Sequence, residues 1–261
     1  MTDASALPDE NERFGWLERK DDDFPYYRGH PVEVSTGGWI VVLVAVVLGF
    51  VELLYGPRFM PVGGGRFVVA FLYWAIPLAA LALVAGRHWR ALFRPLRAAD
   101  FLWMIGFAIL NVIVTLGTGT IITRLLNATA NKAIAGAGHL AGDDLLQLFA
   151  RSGIQLIGEE VMSILPFLAL MYWLCGRGGM GRKSAIVVAA LIVAVLFAAE
   201  HLPTYNWNIP QTLLGVGVAR IVLLLPYIMT KNLAVSAGAH ILNDWMFFGV
   251  SVLSAATAPT N

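Results

Sequence analysis

The segment QLIGEEVMSILPF, Gln155 to Phe167, sets two adjacent carboxylates, Glu159 and Glu160, in a run that is otherwise nearly all apolar. Adjacent acids in a low-dielectric setting are costly to bury and resist joint ionisation. They point to a water-filled cavity and to acid–base work, because an intramembrane ionisable group is by default a functional one. Arg151, Gln155, Glu159 and Ser163 recur at four-residue intervals and form one polar stripe along a helix. Glu160 lies about 100° around from that stripe. An ion-paired structural stripe, with Arg151 neutralising one acid, is the competing account. It leaves the second acid uncompensated.

Two histidines could join such a site. His201 closes LFAAEH just before LPTYNWN, and His240 stands in HILND, with Asn243 and Asp244 at i+3 and i+4. The second spacing lets a carboxylate or amide hold one imidazole nitrogen and fix the tautomer. A helix-end histidine such as His201 is, taken alone, more often incidental. Arg220, in GVGVARIVLLLPY, is an arginine in an apolar run without an obvious partner. Glu52 lies near the end of its run and is expected to reach the interface. Glu200, beside His201, is expected to be solvated.

These residues need helices in a membrane to hold them. Of the 261 residues 58% are hydrophobic and 13% charged, whereas soluble domains carry about 25% charged residues. Apolar runs close to the roughly 20 residues of a crossing cover Trp39–Tyr55, Phe67–Ala85, Phe101–Thr123, Leu145–Cys175, Ser184–Leu202, Gln211–Thr230 and Leu233–Leu253. No strand-like alternation is visible, so the fold class expected is all-α, a polytopic transmembrane helical bundle of about seven spans. The connection NATANKAIAGAGHLAGDD is too polar to cross.

With the N-terminus inside, the inside segments hold Arg13, Arg19, Lys20, Arg28, Arg87, Arg90, Arg94, Arg97, Arg177, Arg182, Lys183 and Lys231. The outside segments hold only Arg58, Arg66, Arg124 and Lys132. This bias places the N-terminus in the cytoplasm and the C-terminus, Asn261, outside. Residues before Gly37 carry nine of the seventeen acids and are expected to form a solvated tail, partly packed through Phe24, Tyr26 and Tyr27. The net charge of +1 excludes a nucleic-acid partner held by phosphate neutralisation. A single cysteine, Cys175, excludes an intrachain disulfide.

Paired glutamates on one helix, Phe-x-x-x-His on the next (Phe197 to His201) and His-x-x-x-Asn/Asp on the last (His240 to Asp244) resemble the CAAX protease and bacteriocin-processing (CPBP, or Abi) family of intramembrane proteases. The resemblance covers roughly Leu145 to Leu253. It divides the chain into a cytoplasmic polar tail (1–36), N-terminal transmembrane helices and loop (37–142) and a CPBP-like, CAAX-protease-like catalytic core (143–256). Two positions depart from the family pattern. Its first motif usually reads EExxxR, and Ile164 stands where the arginine belongs; its third usually ends in Asn, where this chain has Asp244 preceded by Asn243. Arg220 is the best replacement for the missing guanidinium, within reach of Glu159 or Glu160.

The resemblance implies hydrolysis of a peptide bond near the membrane. By family position Glu159 is the base for water and Glu160 supports it, while His201 and His240 position the water or donate to the tetrahedral intermediate. Asp244 orients His240, and either Asp244 or Asn243 serves as oxyanion donor. The preferred chemistry needs no cofactor; the alternative is zinc held by Glu159, His201 and His240, a His₂–carboxylate set without a local HExxH motif. Two other classes remain: a non-catalytic CPBP-like protein with an immunity or scaffolding role, favoured by Ile164, and a proton-coupled carrier, disfavoured by the lack of an internal repeat. The partners implied are the lipid bilayer and a peptide or membrane-protein substrate, in a bacterial cytoplasmic membrane. Nothing in the sequence sets the oligomeric state or the substrate.

Overall fold

The computed structural model describes residues 7–60, 63–126 and 128–257; Asn261, expected on the outer side, lies outside them. Helices dominate, with 79% of the described residues helical and no strand among them. They run α1 (Thr36–Tyr55), α2 (Gly64–Ala85), α3 (Ala98–Leu125), a short α4 (Lys132–Ala137), and α5 (Gly142–Met171), which continues as a π-turn through Arg177. Next come α6 (Arg182–Glu200) and α7 (Ile209–Thr212), which passes through a π-turn at Leu213–Gly217 into α8 (Val218–Thr230), and finally α9 (Leu233–Ala256). Starts fall at capping residues. Ser35 accepts from the Gly38 amide at 3.1 Å, Asn131 from Ala133 at 2.9 Å and Asn232 from Ala234 at 3.1 Å, satisfying amides that a helix leaves open.

Among the described residues six helices are long and apolar enough to cross a membrane, in general accord with about seven spans. The remaining one, α9, has 24 residues. His240, Asn243 and Asp244 lower its apolarity without shortening it. The polar connection after α3 forms α4 and a loop, and α4 packs against α9.

The longest span, α5, is also the most buried and forms the centre of the bundle. Its Val161, Ile164, Leu165, Phe167 and Leu168 pack with Trp39 and Val42 of α1, Tyr73 and Leu81 of α2, Ile186 and Ala189 of α6, and Leu224 and Tyr227 of α8. Close approach of α2 to α5 depends on Gly158, where any Cβ would run into the Tyr73 ring. The Tyr73 hydroxyl then reaches the Met162 sulfur at 2.8 Å. The register of α5, and so the direction of Glu159, is set from this contact.

The N-terminal segment departs from a solvated tail. Phe24, Tyr26 and Tyr27 belong to the main core, and Glu18 is buried with them. Its acids are used as partners for basic residues at this end of the bundle. Arg182 reaches Glu18 at 2.6 Å and Asp23 at 2.8 Å, and Lys231 reaches Glu18 at 2.7 Å. Arg94 pairs with Asp22, Arg97 with Asp21, and Arg19 of the segment itself with Asp100. Lys231 holds the left-handed conformation (φ 52°) that ends α8, so its ammonium ties the α8–α9 turn to the segment. Asn232 adds two bonds to the Arg94 backbone, at 3.2 and 3.0 Å.

Burial alone would raise the Glu18 carboxyl; the hydrogen bond from Arg182 and the charge and hydrogen bond of Lys231 outweigh it and hold the group at about 2. Because this pKa is depressed, the stability it contributes is present above the ordinary value of 4.5 and is lost as pH falls from there towards about 2. Glu18→Leu should lower the stability of the detergent-solubilised protein by about 3–5 kcal/mol at neutral pH, the cost of leaving buried cations without their partner. The gap from wild type should narrow through that acidic window. Equal melting of the two proteins at neutral pH would show that the segment does not brace the bundle.

Candidate active site

Glu159, Glu160, Arg220, His240 and Asp244 meet between α5, α8 and α9, with His201 at the end of α6. Glu160 is wholly buried, and both its oxygens are taken. Arg220 donates through Nη1 to Oε1 at 2.6 Å and through Nη2 to Oε2 at 3.1 Å. The His240 Nδ1–H donates to the same Oε1 at 2.9 Å. A bidentate guanidinium and an imidazole therefore hold one carboxylate, the kind of arrangement in which a buried charge is tolerated. The π-turn Leu213–Gly217, a type of irregularity frequent at functional sites, lies just before Arg220. Ile164, where the family motif has arginine, is fully buried in the apolar core.

Glu159 faces the other way. Its Oε1 accepts from the Gln155 amide at 3.2 Å, and Oε2 lies 3.8 Å from His240 Nε2. Asp244 Oδ1 stands at the same 3.8 Å from that nitrogen. These separations exceed a direct hydrogen bond and suit a bridging water. Imidazole orientation by Asp244, expected from the i+4 spacing, is supplied instead by Glu160. Asp244 accepts from Asn243 Nδ2 at 2.9 Å, and Asn243 Oδ1 accepts from Asn111 at 3.1 Å. Asn243 is thus engaged on both sides of its amide.

The His201 Nδ1 lies 2.8 Å from the Phe197 carbonyl. A carbonyl can only accept, so Nδ1 carries the hydrogen and the neutral ring presents Nε2 as acceptor. The Phe197 ring lies between the charged groups, 4.6 Å from the His201 ring, 6.3 Å from His240 and 5.1 Å from the Arg220 guanidinium carbon.

Glu159, His201, His240, Asn243 and Asp244 line a cavity of about 660 Å³ together with Arg151, Gln155 and Asn111. That is within the range of ligand sites, roughly 300–1,000 Å³. Its mouth is bounded at the bundle end remote from the N-terminal segment. There Gln211 accepts from the Thr129 amide at 2.8 Å and donates to its carbonyl at 2.7 Å, and Asn131 donates to Tyr205 at 3.1 Å. Glu160 is not part of the lining. Glu52, near the end of α1, has its carboxylate oxygens shielded and without a hydrogen-bond partner among the described residues. Glu200 lines a separate apolar crevice between α1, α5 and α6. Asn111 escapes a search restricted to ionisable groups; its signal is an amide in the middle of the apolar run GFAILNVIVTLG.

Among the described residues no three His, Cys, Asp or Glu side chains are grouped so as to hold a metal ion. Glu160 and Phe197 engage Nδ1 of His240 and of His201 and leave Nε2 of each ring on the cavity side, an arrangement also usual for metal-binding imidazoles.

Fold and site together define an integral membrane protein with a carboxylate–imidazole centre on a cavity between helices. Residues 141–246, the stretch that carries the three motifs, match the family model described as Type II CAAX prenyl endopeptidase Rce1-like. This match supports an endopeptidase kind of function in a lipid bilayer, acting on peptides. Comparison with curated proteins and with solved structures gave no match.

Removing one partner of the Arg220–Glu160 pair strands a buried charge. Arg220→Leu should cost about 3–5 kcal/mol, and the double variant Arg220→Leu/Glu160→Leu should cost less than that single change. Arg58→Leu, which alters an exposed side chain stacked on Tyr55, is the control and should be close to neutral. Thermal unfolding in detergent checks all three; a double variant weaker than Arg220→Leu would contradict the pairing.

Proposed function

We propose that the protein is an intramembrane endopeptidase in which Glu159 activates water without a metal. The observation that carries this reading is the division of labour between the adjacent acids. Glu160 is saturated by Arg220 and His240, whereas Glu159 faces the cavity beside an imidazole nitrogen. A water between them donates one hydrogen to Glu159 and the other to the His201 Nε2 lone pair. Its oxygen attacks the peptide carbonyl carbon as Glu159 takes the proton.

The resulting oxyanion needs a donor. Glu160 requires a hydrogen on His240 Nδ1, so a donor at Nε2 makes this ring an imidazolium, with Glu160, Glu159 and Asp244 as surrounding carboxylates. That charge stabilises the tetrahedral intermediate. Protonated Glu159 then gives its proton to the departing nitrogen as the C–N bond breaks, leaving a carboxylic acid and an amine. Asp244, with Asn243 and Asn111 behind it, limits the rotation of His240 on the cavity side. A non-catalytic relative is the reading that remains if turnover is absent.

Glu159→Gln keeps nearly the same volume and should leave the protein inserted and folded while abolishing peptide cleavage, with a loss of about 10³-fold or more, in the upper part of the range of an acid–base contribution. His240→Ala should lose comparable activity, and also stability through Glu160. Prolonged chelator treatment should leave cleavage intact. Full activity in Glu159→Gln would end the proposal, and loss on chelation reversed by zinc would replace it with the zinc alternative.

From the charge bias we infer a cytoplasmic N-terminus, with the loop that carries Tyr205 on the outer side. Cysteines introduced at Lys183 and Tyr205 should then label from the inside and the outside respectively in a bacterial cytoplasmic membrane. The opposite pattern would invert the orientation.

A further inference from the structure

The side chain of Gln211 is engaged by a peptide backbone. Its Oε1 accepts from the Thr129 amide at 2.8 Å, and its Nε2 donates to the Thr129 carbonyl at 2.7 Å. A primary amide that meets the N–H and C=O of one residue recognises main chain and is indifferent to the side chain, as one strand recognises another. Asn208 fixes its orientation, accepting from the Gln211 N–H at 3.2 Å and donating through Nδ2 to Oε1 at 3.3 Å. Gln211 is buried, and it lines the large cavity together with Glu159 and His201. The segment it holds, residues 128–131, belongs to neither α3 nor α4 and has no regular secondary structure. All four of its residues line the same cavity. Its other side-chain tie is the bond from Asn131 to the Tyr205 hydroxyl at 3.1 Å. Downstream, α4 sits so close to α9 that a Cβ on Gly138 would come within 3.0 Å of the Ser251 carbonyl oxygen. Among the described residues no hydrogen bond joins the segment to Glu159, His201 or His240. It is therefore a strap across the cavity, its backbone held as that of a bound peptide would be, with no bond to the acid that would cut it.

We infer that Gln211 is a peptide-backbone-binding residue of this cavity, and that residues 128–131 are its intramolecular occupant, which a substrate must displace. The inference rests on the reading of the cavity as the substrate site of an endopeptidase. Peptides differ in their side chains and share their N–H and C=O groups, so a residue that binds backbone accepts many sequences. The strap supplies the restraint that such a residue lacks. A tethered occupant competes at an effective concentration on the order of millimolar, which keeps weakly held soluble peptides out. A segment that the bilayer itself presents at high local concentration can take its place.

The test uses the inactive Glu159→Gln protein in phosphatidylcholine nanodiscs and the free peptide acetyl-Ala-Thr-Ala-Asn-amide, its affinity measured by saturation-transfer NMR. Thr129→Pro removes the N–H that Gln211 accepts and leaves Gln211 in place. It should tighten peptide binding by about tenfold, the scale of one to two hydrogen bonds released from the strap. Thr129→Ala keeps the N–H and should match the parent. Adding Gln211→Glu, whose carboxylate cannot donate to a carbonyl, should erase the gain, and so should N-methylation of the threonine in the peptide. Tyr205→Phe loosens the strap at Asn131 without touching Gln211 and should tighten binding by about threefold; it is the second arm should the proline variant fail to fold. The proposal is overturned if the peptide binds parent and loosened variants alike, or binds none of them. It is equally overturned if Thr129→Ala or the N-methylated peptide shows the same gain, or if the gain survives Gln211→Glu. Binding needs no turnover, so the two readings fail separately. A wild type that cleaves no peptide while these shifts hold ends the protease reading alone, and cleavage without the shifts ends only the strap.

Discussion

The contact on which the rest of the site depends is the buried carboxylate of Glu160, shared by Arg220 and His240. It joins α5, α8 and α9 at one point and sets the ring of His240. It also neutralises an arginine that has no water to fall back on. In a bilayer, apolar packing between helices has little advantage over packing against lipid, so polar contacts and close fit carry much of the specificity. Close fit is supplied nearby by Gly158 under Tyr73, and polar specificity by this triad. Phe197, against Arg220 and both histidines, keeps the lower side of the triad dry and shapes the cavity wall.

At the far end a second set of buried charges closes the bundle. Lys231 and Arg182 converge on Glu18, so the acids of the N-terminal segment serve as counter-charges for the loops between helices. The same arginines that indicate orientation by their number are thus partly neutralised by structure. The two charge clusters lie at different levels of the bundle, and only the one at Glu160 adjoins the large cavity.

How much of this was legible in the sequence depends on the range of the interaction. The spans were readable from apolar runs, although α9, expected as a seventh, is not among the six helices apolar enough to cross. The three motifs identified α5, α6 and α9 as neighbours, and the vacancy at Ile164 pointed to Arg220, since an arginine in an apolar run needs an acid. Local spacing misled for His240, where Asp244 at i+4 looked like its partner but a residue eighty positions earlier holds it. A helix face offers several candidates within reach, and tertiary packing chooses among them. Asn111 and the buried ion pairs of Glu18 were hidden for a similar reason. Each depends on contacts between distant segments, and an uncharged amide or a charged loop gives no sign of its partner by composition.

The adjacency of the two glutamates has its own geometric logic. Successive residues on an α-helix differ by about 100° in direction, so neighbouring carboxylates cannot share one environment. That angle directs Glu160 into the packed interior, where Arg220 and His240 wait, and Glu159 onto the cavity wall. A spacing of three or four would have aligned both acids on one face, competing for the same cation and the same water. Placed side by side, the first can remain open to solvent because the second carries the structural charge pairing. His240 bridges them through its two nitrogens, 2.9 Å from Glu160 and 3.8 Å from Glu159. The imidazole thereby transmits the rigidity of the buried pair to the more open carboxylate. A site that must hold water steady within a membrane needs both properties in one turn of helix, and two consecutive acids are the shortest sequence that provides them.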